Sequence, residues 1–262
     1  MSSSSMQIAA DQLGPLTSGY LLVEPATLDY APDLAVLDMH PCTPRALAHR
    51  EELMPRLIDL GSLDTEVQQR VTEHWHEEID AERPPVVCAW INSSADVEVL
   101  ATHIARYLVG PDARGQPVFW RYYDPRVLAL ALAIFSADQQ QALLGPVQTW
   151  QFPWAGHIWS VNGPGVESDL TEQPLGWPLA DQWPRINRSE IVDRVRRRFS
   201  GFSVSQATKF PFMADEFLNS AVAKGDRSAT DELIDAAWQH LSSQFASETH
   251  RNSFDQIPGI NP

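Results

Sequence analysis

FWRYYDPRVL, residues 119–128, reads as an extended segment that turns at once into a helix. Asp124 has the side chain of a helix N-cap, whose oxygen accepts a hydrogen bond from one of the unpaired first-turn amides. Pro125 suits the first helical position, because its ring presets φ and its missing N–H has no bond to lose there. Arg121 and Arg126 flank the carboxylate and can clamp it by paired hydrogen bonds. The expected role of Arg121, Tyr122, Tyr123, Asp124, Pro125 and Arg126 is therefore a structural junction, and the residue types give it no catalytic task.

Working outward, the pattern alternates between strand and helix. YLLVEPA (20–26) is a short apolar run stopped by Pro25, which predicts a strand. Residues 45–60 read as a helix interrupted near Pro55. Asp64 opens a longer helix to about Glu82, with Val67, Val71, Trp75 and Ile79 as its apolar stripe. Pro84 and Pro85 end it, and VVCAWI follows as a buried strand. Ser94 can cap the next helix, which Gly110 closes. VFWRYY (118–123) is then a third strand, Asp124 starts a fourth helix, and VQTWQF and HIWSV can form a hairpin on the same sheet. The expected fold class is α/β: an N-terminal lobe over residues 15–162 with a mixed sheet.

Residues 163–186 are rich in Pro, Gly and Trp and lack periodicity, so they read as an ordered linker. A small all-helical lobe is expected over 187–250. Its helices are Asn187 to Phe199, with Asn187 and Glu190 at capping-box spacing, Phe212 to Lys224, and one starting near Ser228. The tail from Arg251 is expected to fray.

The chain has 262 residues, 34 acidic against 19 basic, and a formal charge of −15. Such a surface repels phosphate backbones, which argues against nucleic acid as a partner. The first residues lack the basic and apolar regions of a signal peptide, and no apolar run is long enough to span a bilayer. Two cysteines are too few for a disulfide framework, so the expected setting is the reduced cytoplasm.

The motif at 121–126 resembles the arginine–aromatic–aromatic–Asp–Pro–Arg signature of the domain-of-unknown-function 4123 family. YLLVEPA, LMPRLIDL (53–60), the strand–helix pair from Val86 to Leu108 and LLGPVQTW (143–150) extend the resemblance over residues 20–160. Leu144 stands where an aromatic is common in the family. The resemblance implies a cytoplasmic chaperone or adaptor of bacterial type VI secretion, without enzymatic activity or cofactors. Its implied partners are a toxic effector, gripped through its N-terminal region by an α/β and a helical lobe, and the spike protein.

Two patterns rival this reading. His74 and Glu78 share a helix face and could chelate, but His76 points elsewhere and no third metal ligand is evident. Asp38, His40 and Cys42 alternate as a strand would and hint at a Cys–His pair, but no oxyanion feature accompanies them. A hydrolase with a site assembled from such scattered residues, or a structural subunit of the secretion apparatus, are the alternatives. Six of the 19 basic residues lie between Arg185 and Arg198. Of these, Arg194, Arg196, Arg197 and Arg198 are a candidate docking patch, or else a solvated helix face. Trp177 and Trp183, set among prolines, are candidates for partner contact or for packing between lobes.

Overall fold

The computed structural model of the chain describes residues 6–9, 16–166, 175–225 and 230–254. In chain order the strands are β1 (Gln7–Ile8), β2 (Tyr20–Val23), β3 (His40–Pro41), β4 (Arg56–Asp59), β5 (Val87–Ser93), β6 (Val109–Pro111), β7 (Pro117–Phe119), β8 (Val147–Trp154) and β9 (His157–Asn162). The helices are α1 (Thr65–Glu77), α2 (Val97–Arg106), α3 (Pro125–Ile134), α4 (Ala137–Leu144), α5 (Trp183–Ile186), α6 (Ser189–Arg196), α7 (Val204–Ala223) and α8 (Thr230–Phe254). The α/β class holds.

The sheet is not mixed. Its order is β1-β9-β8-β5-β2-β4-β3, and every neighbouring pair is antiparallel. The crossover through α1 does make β4 and β5 parallel to each other, but β2 lies between them and is antiparallel to both.

Several elements differ from their sequence-based limits. After Pro55 the chain becomes strand β4 rather than more helix, because Leu57 and Ile58 are both buried, one on each side of the sheet. Before it, Arg45–Leu53 forms short 3-10 turns interrupted by non-helical backbone at Leu47 and Arg50. Asp64 caps α1 as expected, its carboxylate accepting from the Val67 amide at 2.9 Å. The helix ends at Glu77, and Glu78 turns inward to accept from the amides of Val86 and Val87 at 3.0 and 3.2 Å. Asp96, not Ser94, is the N-cap residue of α2, and the helix ends at Arg106 without using Gly110. VFWRYY is strand only as far as Phe119, in a separate two-stranded ribbon with β6. Beyond it Asp124 N–H donates to the Arg121 carbonyl at 3.0 Å, forming the turn into α3.

The β8–β9 hairpin forms as expected, with Ala155 (φ 53) and Gly156 (φ 78) in its tight turn. The Asn187–Glu190 capping box does not form; Arg188 is the N-cap of α6 and makes no side-chain cap bond. A capping box does form at Ser203 and Gln206, so α7 starts at Val204, ahead of Phe212, and carries Pro211 inside. Ser228 lies outside the described residues, as does the tail from 255 onward.

Alternate residues of the strands feed two cores. Leu21, Val23 and Ile58 face Val71 and Trp75 of α1. Leu22, Leu57 and Ile91 face the other way, into a core that contains α2, α3 and α4. Val192 and Val195 of α6, Phe210 and Leu218 of α7, and Leu241 and Phe245 of α8 belong to this same core. The C-terminal helices thus share their apolar interior with one face of the sheet. No helix among the described residues is long and apolar enough to cross a membrane.

Candidate functional site

The junction at 121–126 is a charge clasp. Asp124 caps α3 through the Arg126 amide at 3.0 Å, and its two oxygens accept from Arg126 Nε and Nη2 at 2.9 and 2.5 Å. This bidentate pairing, foremost the hydrogen bonding to Asp124, raises the affinity of the Arg126 guanidinium for its proton. Arg121 does not clamp Asp124; it stands 3.9 Å from that carboxylate. Its Nη2 instead donates to Glu24 Oε2 at 2.7 Å.

Glu24 is the centre that sequence reading missed. It is 3% exposed and accepts from Arg121, from the Tyr123 hydroxyl at 2.8 Å and from the Ala26 amide at 3.1 Å. Burial first, and then the Glu24 charge, push the Tyr123 hydroxyl up, so that it stays a neutral donor. A signal for Glu24 was present in the sequence: a carboxylate amid the apolar run YLLVEPA needs a partner if the strand is buried. Tyr122 and Cys88 are wholly buried nearby, and burial pushes both up. The clasp saturates its carboxylates with internal donors and fixes the entry into α3.

The rival patterns resolve into packing and pairing. His74 Nε2 contacts both carboxylate oxygens of Asp33, at 2.9 and 3.0 Å, and Nδ1 lies 3.3 Å from Glu77. Glu78 is committed to Arg83 and to the Val86 and Val87 amides, so His74 and Glu78 do not act as a pair. No group of three or more His, Cys, Asp or Glu residues among those described could hold a metal ion. Cys42 is buried in the core with its thiol pushed far up by burial, whereas Asp38 is exposed.

The arginines between 185 and 198 are spent within the molecule. Arg194 of α6 pairs with Asp231 at 2.5 Å, and Arg198, just past the end of α6, with Asp235, both on α8. Arg196 and Arg197 both bind Asp193, at 2.9 and 2.8 Å, and Arg197 Nη1 also donates to the Glu82 carbonyl at 2.7 Å. Arg185 holds the buried carboxylate of Asp215 at 2.5 Å. Trp183 is 5% exposed and packs edge-on against Trp120 and Trp177. Trp177 is half-buried, donates to the Pro111 carbonyl at 2.8 Å and lies against Gly110, where a Cβ would meet its ring at 2.6 Å. Both tryptophans hold the 175–186 segment to the ribbon and the core.

What remains open is a cleft. The loop after α1, the β8–β9 turn and the segment following α6 enclose an open cavity of ≈ 500 Å³. Its lining includes Asp80 and Glu82 of the loop after α1, and Arg196, Arg197, Phe199 and Phe202 from the end of α6 and the segment after it. It lies where the sheet meets the C-terminal helices.

Fold and site together define an α/β protein with an all-antiparallel central sheet, locked at one helix start by a buried charge clasp. Residues 20–142, from β2 into α4, match the family model described as Domain of unknown function (DUF4123). The match includes the whole clasp and stops before LLGPVQTW, the hairpin and the C-terminal helices. No curated protein and no solved structure matches the chain.

Proposed function

We propose that the chain is a cytoplasmic adaptor of type VI secretion, which binds a toxic effector and helps load it onto the spike protein without catalysing a reaction. One observation carries the reading: the arginines of the family motif are paired with buried carboxylates, Arg121 with Glu24 and Arg126 with Asp124, while an open cleft lies where the sheet meets the C-terminal helices. A saturated clasp suits a scaffold, and a cleft between packed elements suits capture of a partner segment. The family match is consistent with this, although the family's description assigns no activity.

The test is co-expression of the chain with the products of its neighbouring reading frames, followed by purification through a tag on this chain alone. An effector or a spike protein should co-purify in stoichiometric amount. Recovery of the chain alone from cells that express both would sink the reading.

A further inference from the structure

We propose that the cleft between the loop after α1, the β8–β9 turn and the segment after α6 receives a basic side chain, Lys or Arg, from an extended segment of the partner. The inference rests on the adaptor reading and adds the chemistry of what is held.

The argument is one of uncompensated charge. Two cations line the cleft, Arg196 and Arg197, and both are already bound to the buried Asp193. Arg197 is engaged a second time, by the Glu82 carbonyl. The two acids of the loop after α1 are different: the side chains of Asp80 and Glu82 are exposed and take part in no ion pair among the described residues. The cavity thus has satisfied cations and unsatisfied anions, and its free charge is negative.

The rest of the lining favours the same guest. Phe199 and Phe202, with ring centroids 4.9 Å apart, supply aromatic surface to the same cleft. An ammonium or guanidinium group gains from both a carboxylate and an aromatic face, while its aliphatic stem packs on apolar surface. A volume of ≈ 500 Å³ exceeds one side chain and leaves room for flanking backbone. An acidic guest would meet Asp80 and Glu82 with no free arginine to answer it. The overall charge of −15 steers cationic segments toward the molecule in the same sense.

The test uses the full chain, labelled with nitrogen-15, and two acetylated, amidated peptides, Gly-Lys-Leu-Lys-Gly and Gly-Glu-Leu-Glu-Gly. The lysine peptide should give saturable amide shifts centred on Asp80, Glu82, Gly156 and Gly201, and the glutamate peptide none. Both acids are exposed, so D80N/E82Q should fold normally and bind the lysine peptide about fivefold more weakly or worse. The control E51Q/E216Q, which removes exposed acids that do not line the cleft, should stay within about twofold of the parent. Equal loss in both variants, shifts scattered over the acidic surface, or no saturable shift at the cleft overturns the proposal.

Cargo capture separates the two readings. If the parent chain captures its effector and D80N/E82Q captures it equally well, the cleft assignment falls and the adaptor reading stands. If the parent captures nothing while the lysine peptide still saturates the cleft, the adaptor reading falls and the cation site stands.

Discussion

Arg121 reaches across 97 residues of sequence to place Nη2 2.7 Å from Glu24 Oε2, but the two partners are unequally sheltered: the Arg121 side chain is 40% exposed and Glu24 is 3% exposed. Removing either one breaks the same contact with different consequences. In Arg121→Met the buried carboxylate keeps only Tyr123 and the Ala26 amide, and an uncompensated buried charge costs on the order of 3 kcal/mol. In Glu24→Gln the arginine turns toward water and the amide still accepts from Tyr123, so the loss is about 1–2 kcal/mol. Urea unfolding should therefore rank Arg121→Met as the less stable variant; the reverse order would show that the clasp is not centred on Glu24.

What was legible in the sequence was local. Asp124 and Pro125 announce a helix start because a cap and a preset φ act within one turn, and the β8–β9 hairpin shows in two adjacent apolar runs. The choice of partner for Arg121 was not local. Asp124 is three residues away and Glu24 is 97, yet the strand order brings Glu24 closer. That order hides the antiparallel sheet in the same way, since nothing in the alternation of strands and helices says that β2 sits between β4 and β5. The start of α7 was misplaced for another reason. The helix runs through Pro211, and Ser203 and Gln206 build a capping box that starts it eight positions before Phe212. The cleft could not be read at all, because its walls come from segments around 80, 155 and 200.

Acid should loosen the packing of α2 against the end of α4. His103 is 9% exposed, with Nε2 2.9 Å from the Leu143 carbonyl, and burial lowers its pKa from 6.5 to about 4. The folded chain therefore holds the neutral ring, while the unfolded chain takes up a proton below pH 6.5. The stability from this group is fully present above pH 6.5 and is lost as the pH falls from there toward 4, by about 3 kcal/mol at most. His103→Gln keeps a donor for the carbonyl and cannot titrate. Denaturant midpoints measured from pH 7 to 4.5 should fall more steeply for the parent than for this variant, and parallel slopes would refute the assignment.

Gly145 ends α4 with φ 48, a region that side chains rarely adopt, and a Cβ built there would lie 2.2 Å from His103 Cε1. Gly145→Ala therefore combines a left-handed backbone cost of about 1 kcal/mol with a clash against a buried ring. The expected loss is about 3 kcal/mol in total. Shrinking the neighbour should relieve only the clash. In a double-mutant cycle with His103→Ala, the two changes together should cost less than their sum by about 1 kcal/mol or more. Strict additivity would mean that the ring does not confine the turn.

The ion pairs of α6 should divide by burial. Arg194–Asp231 joins side chains that are 43% and 77% exposed, so water and salt screen it. Arg194→Ala should cost less than about 1 kcal/mol, with the loss shrinking at high ionic strength. Asp193 is only 7% exposed and holds Arg196 and Arg197 together, with Arg126 also feeling its charge. Asp193→Ala leaves two guanidinium groups facing each other at the cleft wall, where the one residue had set the spacing of both. Each arginine retains partial access to solvent, which limits the penalty to about 2–3 kcal/mol. The lost carboxylate also frees positive charge in the cleft, so the same variant should weaken binding of the lysine peptide while strengthening that of the glutamate peptide. Calorimetry of the variant and a peptide titration at two salt concentrations would check both halves. A loss of stability with unchanged peptide preference would place the Asp193 pairs outside the electrostatics of the cleft.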